Sequence, residues 1–111
     1  MSDITSLKQR LPTALHSAEL IFANKDYTSA AILYFKAWFL VLDIILLPKE
    51  GRSPKDHAER FRMLERSFPV LYKELDAYYS TYRETYTTDI DEAACCEVRN
   101  YVQKLITAHQ L

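Results

Sequence analysis

DYTSAAILYFKAWFLVLDIILL, residues 26–47, is apolar almost all the way round a helix. A helix of that character is either a membrane span or the central helix of a bundle. Only Lys36 and Asp43 interrupt its apolar part. They are seven residues apart, so they fall nearly on one line, and Ser29 extends that line one heptad earlier. Two charges near the middle of a membrane span would be costly. The stretch therefore reads as the core of a soluble bundle carrying one polar stripe, with no membrane as partner. The stripe suits a solvent-facing seam, an ion-pair line at a subunit interface or part of a ligand cleft. At 1.5 Å per residue Lys36 and Asp43 stand ~10 Å apart. Each then needs a partner from another helix or subunit, because a buried, unpaired charge costs several kcal/mol.

Upstream, Ile4, Leu7, Leu11, Leu15, Ala18 and Phe22 keep helical spacing straight through Pro12. This predicts one helix over residues 4–24, bent at Pro12, with a start at Pro12 as the alternative. Asp26 is placed to cap the central helix, and Pro48 to end it. Downstream, Ser53 caps and Pro54 opens a third helix, with Asp56 favouring its positive end. Its apolar positions are His57, Ala58, Phe61, Leu64 and Phe68. Pro69 breaks it from a fourth helix over residues 69–87. There Leu71, Leu75, Tyr78 and Tyr82 form one face, and Tyr72, Tyr79, Arg83 and Tyr86 a second. Asp89 and Glu92 have the spacing of a capping box for a fifth helix, whose stripe is Ile90, Ala94, Val98, Tyr101, Leu105 and His109. Strand alternation and hairpin turn pairs are missing. The fold class is all-α, about five helices in an up-down arrangement, as a single domain over residues 1–111.

A chain of 111 residues with one glycine and four prolines fits that reading. Its net charge of −1 creates no overall field toward nucleic acid or anionic lipid. Locally, residues 49–73 hold seven basic and four acidic residues, and residues 74–97 hold seven acidic residues and one basic, Arg83. Either the two segments attract each other across the bundle, or residues 49–66 form an anion or RNA surface. Cys95 and Cys96 are adjacent on a helix, so an ordinary disulfide between them is excluded and no further cysteine completes a zinc site. They read as reduced residues of a cytoplasmic protein, and the N-terminus has no signal-peptide apolar core. His16, His57 and His109 lack paired metal-ligand spacing, and the glycine-rich phosphate and dinucleotide motifs are absent. No metal and no cofactor is therefore expected.

Arg83 is the charged residue of most interest, set among Tyr79, Tyr82 and Tyr86. Arginine grips phosphate through two parallel hydrogen bonds, and tyrosine rings stack on bases or on a guanidinium. The competing reading makes the tyrosines core residues with wet hydroxyls, and Arg83 either pairs with an acid such as Asp43 or caps carbonyls at the helix end. His57, in the first turn of the third helix, reads as a packed, hydrogen-bonded residue or as an acid–base group. Arg83, Tyr79, Tyr86, Lys36, Asp43 and His57 are the candidate ligand-binding residues.

The bent first helix, DYTSAAILYFKAWFLVLDIILL, the loop PKEGRSPKDHAERFRML and the Tyr-rich helix ending YRETYTTDIDE together resemble the HEPN superfamily of small helical proteins. The resemblance covers about residues 10–107. It implies an up-down four-helix bundle with an additional short helix, a homodimer, and nucleotide or RNA binding. It also implies a minimal nucleotidyltransferase as partner, often in a toxin–antitoxin pair. Ribonuclease members carry an arginine followed, after four to six residues, by a histidine. Arg83 matches the arginine, but Thr88, Asp89 and Ile90 stand where the histidine would fall. The expectation is accordingly a non-catalytic binding module. The rivals are a metal-independent ribonuclease with a degenerate site, using Arg83 and either His57 or Thr88, and a purely structural subunit.

Overall fold

In a computed structural model, residues 4–111 are described. They form five helices: α1 (Ile4–Ala23), α2 (Tyr27–Glu50), α3 (His57–Ser67), α4 (Pro69–Glu84) and α5 (Glu92–Ala108). No strand occurs among the described residues. The all-α class, the five helices and the unbroken run of α1 through Pro12 are as expected from the sequence.

α2 is the axis of the molecule. α1 packs along most of it as an antiparallel hairpin, α5 lies against it on another side, and the α3–α4 pair closes the rest. Small residues at the contacts, Ala14, Ala18, Ala30, Ala31 and Ala37, let the helices approach closely. Phe35, Trp38, Val41, Leu42 and Leu46 are fully buried, each stabilising the fold by ~1.5–3 kcal/mol relative to exposure. Trp38 lies between Phe35, stacked at 5.5 Å, and Tyr101 at 4.4 Å. α2 is long and apolar enough to cross a membrane, but 72% of its most apolar window is buried inside the protein. The other four helices therefore supply the apolar surroundings it needs.

Asp26 caps α2 as anticipated, its side chain accepting from the Ser29 N–H at 3.1 Å. The preceding turn uses Lys25 at φ 65°, a left-handed conformation commoner for glycine, to stop α1. Three expected boundaries are corrected. Pro48 does not end α2, which runs on to Glu50. There Gly51, at φ 82°, closes it by donating to the Leu47 carbonyl at 2.9 Å. The extra turn is held from outside, because the Glu50 carboxylate accepts from Arg66 and Ser67 of α3. The cap of α3 is Asp56 rather than Ser53. Asp56 accepts from the Glu59 N–H at 2.8 Å, and Glu59 reaches back to the Lys55 N–H at 2.9 Å. Those two bonds outcompete a serine further upstream. For α5, Asp91 rather than Asp89 is the cap, accepting from Ala94 N–H at 2.8 Å.

The two oppositely charged segments do not pair across the bundle. Arg52, Arg60 and Arg66 find Glu59, Asp43 and Glu50, and no ion pair among the described residues joins residues 49–73 to residues 74–97. The loop after α4 is tied down separately, by the Ile90 N–H donating to Thr28 Oγ1 at 2.8 Å. α3 and α4 are separated by Phe68 alone, which ends the first and begins the second.

Candidate functional site

The polar stripe of α2 opens onto a cleft of about 310 Å³ between α1, α2, α3 and α4. Its α2 wall is Ile32, Lys36, Phe39, Leu40 and Asp43. These positions share one face of a helix because their separations are close to whole turns. α1 contributes Arg10, α3 contributes His57 and Arg60, and α4 contributes Tyr82.

Asp43 is buried at 8% exposure, so it must be paired. The partner is Arg60, whose Nε and Nη2 donate to the two carboxylate oxygens at 2.8 and 3.0 Å. This two-armed pairing satisfies both charges, and Arg60 also lies over the Phe39 ring, 5.0 Å from its centroid. Its third arm, Nη1, donates to His57 Nδ1 at 2.7 Å. A guanidinium has no lone pair to offer, so Nδ1 must be the acceptor and His57 is neutral with its proton on Nε2. Burial drives the His57 imidazole below its ordinary value, and the charge of Arg60 acts in the same direction, against weaker pulls from Asp43 and Asp56. Nε2 faces the Tyr82 hydroxyl at 3.5 Å, and that hydroxyl bonds the Tyr86 hydroxyl at 2.9 Å. Burial and the bond to Tyr86 push the Tyr82 phenol up to about 12. Asp43, Arg60, His57, Tyr82 and Tyr86 thus make a chain of polar contacts from the core to the surface.

Of the candidate residues, Lys36, Asp43 and His57 come together on the cleft. Tyr79 supports it from behind, its ring 5.9 Å from that of His57, and Tyr86 stands at its edge through Tyr82. Arg83 is elsewhere. It is exposed, does not line the cleft and does not pair with Asp43, and its guanidinium lies 5.9 Å from the Tyr79 ring centroid. Arg60 and Arg10 also line the cleft, outside the candidates that the sequence suggests. Arg60 had a signal, since a buried Asp43 demands a cation and His57 and Arg60 lie one turn apart on α3. Arg10 had none beyond its charge.

The cleft is strongly biased toward anions. Among the described residues its single acid, Asp43, has both oxygens engaged by Arg60, while Arg10 and Lys36 are exposed and have no ion-pair partner. Phe39, His57 and Tyr82 give it an aromatic floor, with Phe39 perpendicular to Tyr82 at 5.2 Å and 4.6 Å from His57. Among the described residues no three metal-binding side chains cluster. Compared with protein-family models, curated proteins and solved structures, the chain finds no significant match in any of the three.

Proposed function

We propose that this chain is an HEPN-like, non-catalytic module that binds a nucleotide or an RNA strand in the cleft between α1, α2, α3 and α4. One observation carries the reading: among the described residues, two uncommitted cations, Arg10 and Lys36, stand over an aromatic floor whose only carboxylate is already neutralised. Cations take the phosphate and rings take the base, which is how single-stranded nucleic acid is held with little sequence preference. Arg60 holds the floor in shape through Asp43 and His57. Arg83, stacked on Tyr79, adds a further cation outside the cleft.

The test is fluorescence polarisation of a labelled RNA at several salt concentrations, with wild type, Lys36→Ala, Arg10→Ala and Arg83→Ala. Lys36→Ala and Arg10→Ala should each weaken binding and lower the salt slope by about 0.7, the loss of one phosphate contact on a single strand. Arg83→Ala should have a smaller effect. RNA affinity unchanged in both cleft variants would remove the cleft from the reading.

A second reading is favoured by the neutral His57 on the cleft wall. In a metal-independent ribonuclease that imidazole would replace the one missing after Arg83. It expects RNA cleavage in the same incubation, lost in His57→Ala. We further propose, on the family resemblance, a homodimer and a nucleotidyltransferase partner, and a cytoplasmic location in keeping with the free thiols of Cys95 and Cys96. Sedimentation equilibrium at micromolar concentration tests the dimer.

A further inference from the structure

A second lobe adjoins the cleft. It measures about 260 Å³ and is lined by Gln9, Arg10, Thr13, Ala14, Ser17, Leu33 and Lys36. Arg10 and Lys36 belong to both lobes, so the two share a wall made of cations. Ligand sites in proteins typically occupy ~300–1,000 Å³, so each lobe alone sits near or below the lower limit and the pair lies within the range.

The lobes differ in chemistry. The first is aromatic, with Phe39, His57 and Tyr82. The second offers the Gln9 amide and the hydroxyls of Thr13 and Ser17, each able both to donate and to accept, and among the described residues no carboxylate. Gln9, Thr13 and Ser17 are four residues apart on α1, so they stand in one row along ~12 Å of helix. Such a row suits a ribose, whose 2′-hydroxyl is both donor and acceptor. On the other wall, the α2 residues of the first lobe run from Ile32 to Asp43, ~16 Å, against ~3.4 Å per nucleotide in a stacked strand.

Resting on the nucleotide or RNA reading above, we infer that the ligand is a strand and not a single nucleotide. The phosphodiester lies at Arg10 and Lys36, one base lies on the aromatic lobe, and the neighbouring nucleoside lies in the lobe of Gln9, Thr13 and Ser17. Charge alone cannot produce this preference, because a dinucleoside monophosphate carries one negative charge and a nucleoside monophosphate nearly two.

Isothermal titration of the whole protein with uridine 5′-monophosphate and with uridylyl-uridine separates the cases. Wild type should bind the dinucleotide at least tenfold more tightly. Thr13→Trp fills the second lobe from an exposed position of α1. It should reduce the dinucleotide to the affinity of the mononucleotide and leave the mononucleotide unchanged, with the helical circular dichroism intact. Ser17→Leu, a smaller obstruction, should act the same way to a lesser degree. Equal affinities in wild type, or equal losses for both ligands in Thr13→Trp, would overturn the strand inference while leaving the cleft reading standing if Lys36→Ala still weakens the mononucleotide. Absence of binding by either compound and by longer RNA would overturn the cleft reading itself.

Discussion

Asp43 and Glu19 are each gripped by the Nε and Nη2 of an arginine from another helix. Arg60 of α3 holds Asp43 of α2, and Arg99 of α5 holds Glu19 of α1 at 2.8 and 2.9 Å. The geometry is alike and the surroundings are not. The first pair is buried, with side-chain exposures of 10% and 12%, while the second is part-exposed at 28% and 42%. In the first, the spare arm of the arginine passes the connection outward to His57 and the cleft. In the second, it is the carboxylate that takes the extra bond, from the Tyr34 hydroxyl, and Arg99 lies over Phe22. One pair prepares a surface and the other clamps the first helix to the last. A bidentate ion pair therefore says little about its purpose until its third partner is known.

The largest expected effect comes from breaking the buried pair. Asp43→Ala leaves Arg60 uncompensated and should cost ~3–5 kcal/mol in urea unfolding, a large part of the ~5–15 kcal/mol that holds a domain. The double variant Asp43→Leu/Arg60→Met should recover most of that loss, since a buried pair is often no more stabilising than packed apolar groups. It should not recover the RNA affinity, because the floor of the cleft loses its shape. Glu19→Ala, breaking the exposed clamp, should cost only ~1 kcal/mol.

Acidification should separate His57, beside the buried pair, from Glu19 of the part-exposed one. His57 is depressed from 6.5 in the folded protein, so its contribution is present above that value and is lost as pH falls through the lower, folded value. Glu19 is depressed from 4.5, chiefly by the bond from Arg99, so the clamp keeps its contribution until pH falls below that value. Urea midpoints measured between pH 8 and pH 3 should show two sloping regions. His57→Gln should flatten the upper one, and Glu19→Gln should lessen the lower one, which Glu50 and Glu59 share because arginines hold their carboxyls down as well; an upper slope unchanged in His57→Gln, or a lower slope unchanged in Glu19→Gln, would sever that assignment. The smallest effect belongs to Arg83→Ala, expected within ~0.5 kcal/mol of wild type because its side chain is exposed and pairs with no acid among the described residues.

The central helix, its polar stripe and the Asp26 cap were legible in the sequence because each depends on residues close together in the chain. The bundle around α2 follows from the same apolar pattern. What was not legible depends on distant partners. Pro48 opposes helix by local rules, yet Arg66 and Ser67, 16 and 17 residues away in sequence from Glu50, hold the turn that follows it. On α3 the apolar pattern includes Leu64, which is fully buried, but also Ala58, which is exposed, and it passes over Glu59, Arg60 and Met63, which are buried. A buried arginine disguises the inward face, and only its pairing with Asp43 discloses it. Arg83 had the reverse fault: its neighbours in sequence suggested a site, while its position on α4 takes it outside the cleft.

The single residue between α3 and α4 has a consequence for how this protein tolerates changes in length. Phe68 finishes one helix and starts the next with no side-chain cap and no slack. One added residue there would be absorbed by neither helix and would turn α4 by ~100° about its axis. Leu75 would leave the core and Tyr82 the cleft together. The seven residues between α4 and α5 include exposed positions 86–89, where an added residue can loop outward. Variation in length among functional descendants of this chain should therefore gather in that second connection and avoid the first.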